Sequence, residues 1–407
     1  MNKELECLEA VHTHTHTHTC NLKEKGVTLV ALVVTIVVLL ILAGVTINLI
    51  VGQNGLISRA KEAANATNKA GLKEKIDMAL TDYEIERLTN SNITFKEYVE
   101  NNKEQIGIGD FKIIDENPSE DVQFIGSLDG KIIVMKTDGS YVLTKSENLV
   151  KNGFGDNGNE NFPDFENNNG IFSINTSEKN GIFSSELIPV DINKKYYESI
   201  IMKASSEESL MFVGFVEYDV DKNAIQATNY LYNPESLTYL ERDLNDGDTE
   251  VYLHDISGFS MENLNIGHND GFIFWNYTDS KGYQYPELTY SRNLSWGSFS
   301  GKENFDVKNN KVILDKPWNF GKIKKGTKVS QKSDGQTYNY GVINGENVEK
   351  NFKIYDCKTS GIKELGTANP YKFCSATKYV KIWFGLNYSD VPNVTTEIKD
   401  IIFAECE

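Results

Sequence analysis

An uncharged apolar run near the N-terminus limits what this chain can fold into more than any other feature. Charged residues stop at Lys25 and resume only at Arg59, and most side chains from Val27 to Val51 are apolar. As a helix, about 25 residues rise roughly 37 Å, which is enough to cross a hydrocarbon core of about 30 Å. The apolar core of a secretory signal has only about 7 to 15 residues. The run therefore predicts a membrane-spanning helix.

The residues at the start of this run fit two kinds of membrane segment. Lys23 and Lys25 would hold that end on the cytoplasmic side, as in a generic signal-anchor. The six residues from Lys25 to Val30, with a glycine before a short apolar residue, also resemble the class III leader junction of type IV pilins. That resemblance implies that a prepilin peptidase cuts between Gly26 and Val27, and that Val27 is then methylated. A buried core helix fits poorly with so long an uncharged run.

One position departs from the pattern of type IV pilins. That family usually carries glutamate at the fifth mature position, where it pairs with the N-terminus of a neighbouring subunit, and Ala31 stands there instead. Alanine is compatible with an apolar filament core, since an unpaired buried charge costs free energy. The ion pair that sets the register is nevertheless lost. The resemblance therefore implies a minor or tip subunit, or a lineage that assembles by packing alone.

The chain is acidic, and the excess of carboxylates lies after its N-terminal part. The formal net charge is -17 at pH 7; residues 1–26 contribute -1 and residues 27–88 contribute none, which leaves -16 beyond residue 88. Binding to phosphates requires basic patches. The charge therefore argues against nucleic acid or an anionic membrane surface as a partner, and it is typical of a soluble, exposed protein.

A helix followed by a small β module is predicted up to residue 150. Apolar residues between 56 and 83 recur mostly at steps of three and four, so we expect one helix from 27 to 88, roughly 90 Å long. Thr94 to Glu97 predicts a capping box that opens a short helix. Three strand-like runs joined by Asp-Gly turns follow. Such a meander buries little by itself, so we expect it to pack on the helix, as in the heads of small pilins.

A change in composition marks a second domain. Residues 151–169 are rich in Gly, Asn and Asp and predict a linker. From 170 to 407, more than eight short alternating or β-branched runs separated by turn residues occur in about 240 residues, which predicts a β-sandwich of jelly-roll type. The clearest core patterns, Tyr379–Gly385 and Ile398–Phe403, predict central strands.

Taken together, these elements predict an α+β fold class. Its parts are a leader (1–26), a membrane or filament-core helix of pilin type (27–88), a small antiparallel β head (89–150), a linker (151–169) and a large all-β sandwich (170–407). Segments such as Asp243–Leu253 and Tyr283–Asn293 resemble jelly-roll modules of phage tail fibres and bacterial surface proteins. Similar sandwiches act as carbohydrate-binding modules, so the resemblance implies the fold more firmly than the ligand.

Aromatic residues cluster in one polar, turn-rich segment of the predicted sandwich. Exposed flat rings stack on the apolar faces of sugars, while neighbouring polar groups bond to hydroxyls. The residues predicted to bind a ligand are Trp275, Tyr277, Tyr283, Tyr285, Tyr290, Arg292 and Trp296. The alternative is that these rings pin a long loop to the sandwich.

Signals for metals, cofactors and catalysis are weak. Asp219 to Asn223 has the first three oxygens of a calcium loop but lacks its glycine and closing glutamate, so a hairpin turn is favoured and a structural calcium is left open. Only His254 and His268 follow the leader, and no nucleophile elbow, P-loop or dinucleotide motif occurs. We therefore predict no enzyme, no cofactor and no metal ligands.

Three cysteines follow the leader. Cys357, Cys374 and Cys406 could form one disulfide, for example between the first two, which would suit an exported domain. The alternative is three unpaired thiols.

The sequence as a whole predicts a type IV pilin-like subunit, minor or at the tip, that displays its C-terminal sandwich for adhesion to glycans. It would be a single-pass protein of the cell membrane before assembly and part of an extracellular filament afterwards. Expected partners are other pilin subunits, the prepilin peptidase, the membrane and surface glycans. Two alternatives stay open, a purely structural filament subunit and a membrane-anchored surface hydrolase.

Overall fold

A computed structural model describes most of the chain and divides it into two units. The described residues are 33–40, 56–225, 229–264, 269–278, 284–289, 297–336, 338–364 and 369–407. The units are residues 1–77 and 78–407.

The described part of the first unit is helical. Helix α1 covers residues 33–40, and its seven apolar side chains are 47–67% exposed. Helix α2, Leu56–Arg87, begins in this unit and ends in the second. Within the described ranges, no helix combines the length and the apolar character that crossing a membrane requires. Much of the predicted span from Val27 to Val51, including the cleavage junction Gly26–Val27, lies outside the described residues.

The end of α2 and the short helix α3 form an aromatic cluster in the second unit. Tyr83 lies on α2, and its ring is 5.2 Å from that of Phe95 and 5.9 Å from that of Tyr98 on α3, Phe95–Asn101. Helix α4 is Lys103–Ile106. The predicted capping box is confirmed, because the Glu97 amide donates to Thr94 Oγ1 at 3.1 Å and the Thr94 amide donates to Glu97 Oε2 at 3.0 Å.

A four-stranded antiparallel sheet, the head sheet, follows these helices. Its strands lie in chain order, and Asp129 and Gly130, which join the second to the third, both have positive φ, as the predicted tight turn requires. The strands are β1 Phe111–Ser119, β2 Val122–Leu128, β3 Lys131–Lys136 and β4 Tyr141–Leu143.

Two five-stranded sheets face each other and form the main core. Sheet I has the order β20-β9-β22-β6-β5, and sheet II has the order β19-β10-β21-β7, with β8 paired to β21. The ring of Phe215 in sheet II lies 6.0 Å from that of Phe403 in sheet I. The strands are β5 Glu166–Asn168, β6 Ile171–Thr176, β7 Asn180–Phe183, β8 Ile188–Pro189, β9 Lys195–Ala204, β10 Leu210–Tyr218, β19 Asn339–Asn347, β20 Lys353–Ser360, β21 Tyr379–Leu386 and β22 Val394–Cys406.

The two predicted central strands are confirmed. Tyr379–Gly385 falls in β21 and Ile398–Phe403 falls in β22, and each of these strands has a neighbour on both sides. Their apolar residues fill the space between the sheets, since Phe384 and Ile398 are fully buried in the same core. Runs dense in apolar residues belong in the interior of a sheet, where both faces are covered.

The chain between β10 and β19 forms two further sheets in the described residues, one of five strands and one of three, with a core of their own. That core contains Phe272, Phe274, Phe299, Trp318 and Val329. The orders are β11-β18-β14-β15, with β12 paired to β18, and β13-β17-β16. The strands are β11 Asn229–Tyr232, β12 Thr238–Tyr239, β13 Glu250–Tyr252, β14 Phe272–Thr278, β15 Gln284–Thr289, β16 Phe305–Asp306, β17 Lys311–Ile313 and β18 Lys328–Gln336.

The predicted α+β fold class is wrong. Strands hold 40% of the described residues and helices 17%, so this part of the chain is mainly β and largely sandwich-like. The expected long helix of pilin type from 27 to 88 is not found in the described residues, where helix covers 33–40 and Leu56–Arg87. The α+β class was predicted because the apolar spacing of residues 27–88 is helical. Pairing between strands that are distant in sequence dominates the fold after residue 110.

The predicted domain boundaries stay a prediction, although the segment 151–169 is packed into the second unit. Phe162 and Phe165 are buried, with ring centroids 5.1 Å from Phe172 and 5.7 Å from Phe384 respectively. The head sheet shares a buried cluster with sheet I, in which Val134 and Ile402 take part. The free energy gained by burying these apolar side chains holds the segment in place despite the turn-forming residues between them.

Cys357, Cys374 and Cys406 form no disulfide within the described part of the chain, which corresponds to the second alternative drawn from the sequence. The Asp219 carboxylate accepts hydrogen bonds from the amides of Asp221 and Asn223, both at 2.9 Å, so this segment is the expected turn.

Candidate functional site

Trp275, the first of the aromatic residues predicted to bind a ligand, lies on β14 inside the protein. It is 2% exposed, and its indole Nε1 donates a hydrogen bond to Ser330 Oγ at 2.7 Å. Its ring packs edge to face on Tyr232, with centroids 5.5 Å apart. This placement corresponds to the alternative in which the ring holds the chain to the sheet.

The other predicted ligand-binding residues are placed only in part. The backbones of Tyr277 on β14 and Tyr285 on β15 are directly opposite in the antiparallel pairing, so the fold brings these two positions together. Four more lie outside the described residues, namely Tyr283, Tyr290, Arg292 and Trp296. Their ligand-binding role stays a prediction.

A cavity of about 420 Å³ lies between the head sheet, sheet I and the segment before β6. We call it the Asp400 pocket. The residues whose chemistry matters here are Asp115 on β1, Lys399 and Asp400 on β22, and Phe154, Asp156 and Asn169 on the adjoining loops.

Irregular strand pairing places two carboxylates at this cavity. The register of β22 against β9 shifts between Lys399 and Ile402, and Asp400 there has a φ of 51°. Aspartate tolerates this left-handed conformation better than most residues. The register of β1 against β2 also shifts between Ile113 and Asp115. Bulges of this kind re-aim a side chain without ending the strand.

The Asp400 carboxyl is buried and incompletely satisfied. It is 4% exposed, and among the described residues its Oδ2 has no hydrogen-bond partner. Burial raises the pKa of Asp400 well above its usual range, and the negative charge of Asp115 acts in the same direction, whereas Lys399 opposes it. The shift favours the protonated form of Asp400, which can both donate and accept a hydrogen bond.

Asp115 has a cationic partner. Lys399 Nζ lies 2.8 Å from Asp115 Oδ2, and the same ammonium lies 5.1 Å from the centroid of the Phe352 ring. Asp115 thus has a lysine partner within the pocket, while burial disfavours a charge on Asp400. Two carboxyl groups in different environments line the same cavity.

Two glycines shape the loop side of the pocket. Gly155 and Gly170 have φ of 73° and 84°, and a Cβ on Gly155 would lie 2.6 Å from Gly170 Cα. Asn167 joins the two loops, because its Nδ2 donates to Gly155 O at 3.0 Å and its Oδ1 accepts from the Gly170 amide at 3.1 Å. Only glycine permits so close an approach of the two backbones.

Sequence reasoning missed this pocket. One signal was present, because Asp400 interrupts the alternation of apolar and polar residues in Val394–Cys406 and is followed by two isoleucines. Such an interruption is typical of a bulge. Nothing local connects Asp400 with Asp115, which lies on another sheet.

The pocket fits an uncharged ligand rich in hydroxyl groups. A buried carboxyl group, an ion pair, an asparagine amide and a half-buried phenylalanine ring can bind hydroxyls and one apolar face. No group of three or more His, Cys, Asp or Glu in the described ranges is arranged to hold a metal ion.

Comparison of the chain with protein-family models and with curated proteins finds no match.

Proposed function

We propose that this protein is a pilin-like surface subunit whose N-terminal apolar run serves first as a membrane anchor and then as a packing element in a filament. The observation that carries this proposal is α1, in which seven apolar side chains are 47–67% exposed. A helix that is apolar on all sides is stable only when lipid or other helices cover it. The uncharged sequence from Val27 to Val51 and the junction at Gly26 support the same role.

The unit 78–407 would be the exposed part of such a subunit, and we propose that it binds glycans through the Asp400 pocket. The support is chemical: Asp400 is buried, its pKa is raised, and its Oδ2 has no partner among the described residues, so a ligand hydroxyl would satisfy that oxygen. The paired positions Tyr277 and Tyr285 are a second place where a sugar could bind.

A glycan array probed with residues 78–407 tests the binding proposal. We expect binding to a subset of glycans, with at least about a tenfold loss for Asp400→Leu, because a ligand hydroxyl then loses both its donor and its acceptor. Asp400→Asn retains one donor and one acceptor and should bind within a fewfold of the native protein. The exposed Asp164→Asn serves as the control. Failure of the native unit to bind any glycan contradicts the proposal.

One observation favours the alternative of a surface hydrolase. The pKa of Asp400 is raised and Asp115 is paired with Lys399 in a single cavity, and glycosidases use one neutral and one ionised carboxyl group as acid and nucleophile or base. Release of reducing ends from an array-positive glycan by the native unit, and not by Asp400→Asn, would support hydrolysis over simple binding.

A further inference from the structure

Three polar side chains meet in the interior of the sandwich, and none of them lines the Asp400 pocket. Glu217 lies on β10, Asn339 lies on β19, and Lys363 follows β20. They are 1%, 0% and 5% exposed. A lysine, an asparagine and a glutamate that are all buried together require an explanation, because each is costly to remove from water.

The distances place the amine, the amide and the carboxyl group in mutual contact. Lys363 Nζ lies 2.5 Å from Asn339 Oδ1 and 3.0 Å from Glu217 Oε1. Asn339 Nδ2 donates to the same Oε1 of Glu217 at 2.7 Å. Glu217 thus touches both the amine and the amide nitrogen. A carbonyl bond is about 1.2 Å long, so Nζ lies within about 3.7 Å of the Asn339 side-chain carbon.

The surrounding backbone holds each of these groups in position. Asn339 pairs with Phe215 across β10 and β19, two residues from Glu217. The second oxygen of Glu217 accepts hydrogen bonds from the Cys374 amide at 2.7 Å and from Thr377 Oγ1. The Lys363 amide donates to Phe373 O at 2.8 Å. Geometry fixed in this way supplies much of the barrier reduction in reactions between two positioned groups.

Glu217 is placed to take a proton from the amine, since its Oε1 lies 3.0 Å from Lys363 Nζ. An ammonium and a carboxylate that are shielded from water pay a large desolvation penalty. Only an amine that has given up a proton carries the lone pair that can attack a carbonyl carbon.

We propose that Lys363 and Asn339 become joined by a spontaneous amide bond between their side chains, with Glu217 as the proton carrier. The Nζ lone pair attacks the side-chain carbon of Asn339 and forms the new C–N bond. Glu217 accepts a proton from the Nζ ammonium, which frees the lone pair, and donates it to Nδ2, and the bond between that carbon and Nδ2 then breaks. Ammonia leaves and takes up the second proton that Nζ loses, the carbonyl is restored and the Glu217 carboxylate is regenerated. The step needs no oxidant or other reactant.

Such a bond would tie sheet II to the chain that leaves sheet I. Asn339 is on β19 of sheet II, Lys363 follows β20 of sheet I, and they are 24 positions apart in sequence. A covalent link here would hold the two sheets together even if the segment between Asn339 and Lys363 unfolded. This bond would form whether or not the Asp400 pocket binds a glycan.

Mass spectrometry of the full-length chain, purified in detergent and denatured, tests the proposal. We expect a mass about 17 Da below that of the uncrosslinked chain, since one ammonia is lost on acyl transfer. Proteolysis should yield a branched peptide that contains both Lys363 and Asn339. Succinimide formation at an asparagine also releases ammonia, so the branched peptide is the deciding observation. Recovery of both residues only in separate linear peptides would overturn the proposal.

Variants separate the chemistry from the fold. Lys363→Met, Asn339→Ala and Glu217→Gln should each have the uncrosslinked mass, and the control Lys358→Met, in which an exposed lysine is lost, should retain the loss of ammonia. Any of the first three could fail to fold, and the peptide map of the native chain decides the question without them. A branched peptide that persists in Glu217→Gln would remove the role of Glu217 as the proton carrier.

Discussion

Glu198 provides a prediction about how stability depends on pH. It lies on β9 in sheet I and is 2% exposed. Its Oε1 accepts a hydrogen bond from Thr359 Oγ1 at 2.6 Å, and among the described residues its Oε2 has no partner. Burial raises the pKa of Glu198 from 4.5 to about 8; the Thr359 hydrogen bond opposes this shift, and the charge of Glu217 adds to it.

The sign and size of the effect follow from proton linkage. Below about pH 4.5 the group is protonated in both states and has no effect. As the pH rises towards 8, the unfolded chain loses this proton while the folded protein keeps it, so the free energy of unfolding falls. Each unit of difference in pKa corresponds to about 1.4 kcal/mol, which limits the total loss to about 5 kcal/mol. Above pH 8 both states are ionised and the loss is constant.

Urea unfolding of residues 78–407 between pH 5 and 8.5 measures this effect. Glu198→Gln cannot ionise, so its free energy of unfolding relative to the native unit should increase with pH, by at least about 2 kcal/mol across the range. Glu166→Gln, an exposed change in the same sheet, should follow the native profile. If Glu198→Gln and the native unit have parallel profiles, Glu198 is not held neutral and the reasoning fails.

Two further substitutions have clear expected outcomes. Gly214→Ala would place a Cβ 1.8 Å from Asn339 O on the neighbouring strand, so we expect a loss of about 3 kcal/mol or more in urea unfolding; a loss below about 1 kcal/mol would contradict the observed strand spacing. Trp275→Phe removes the hydrogen bond to buried Ser330 and should lower stability by about 1 to 3 kcal/mol while leaving glycan binding unchanged. Lost binding at unchanged stability would instead assign Trp275 to a ligand site.

Local signals in the sequence predicted local structure well. The capping box at Thr94 and the turn at Asp129 depend on residues within a few positions of each other, and both are present. The runs that became β21 and β22 were recognised as central strands because they are dense in apolar residues. Patterns of this kind reflect backbone geometry and burial directly.

Long-range arrangements could not be predicted in the same way. Glu217 is 122 positions from Asn339 and 146 from Lys363, so no spacing in the sequence connects them. The same holds for Asp115 and Asp400, which meet only because the head sheet packs on sheet I. Phe162 packs on Phe172 and Phe165 packs on Phe384, which the composition of residues 151–169 does not indicate. Tertiary packing decided each of these cases.

The most direct test of the proposed role is the N-terminus of the native protein, isolated from the cell surface and analysed by mass spectrometry. We predict a chain that begins with N-methylated Val27, recovered from filaments. A native chain that keeps Lys25 and is extracted by detergent as a monomer, with no filament containing it, would contradict the account.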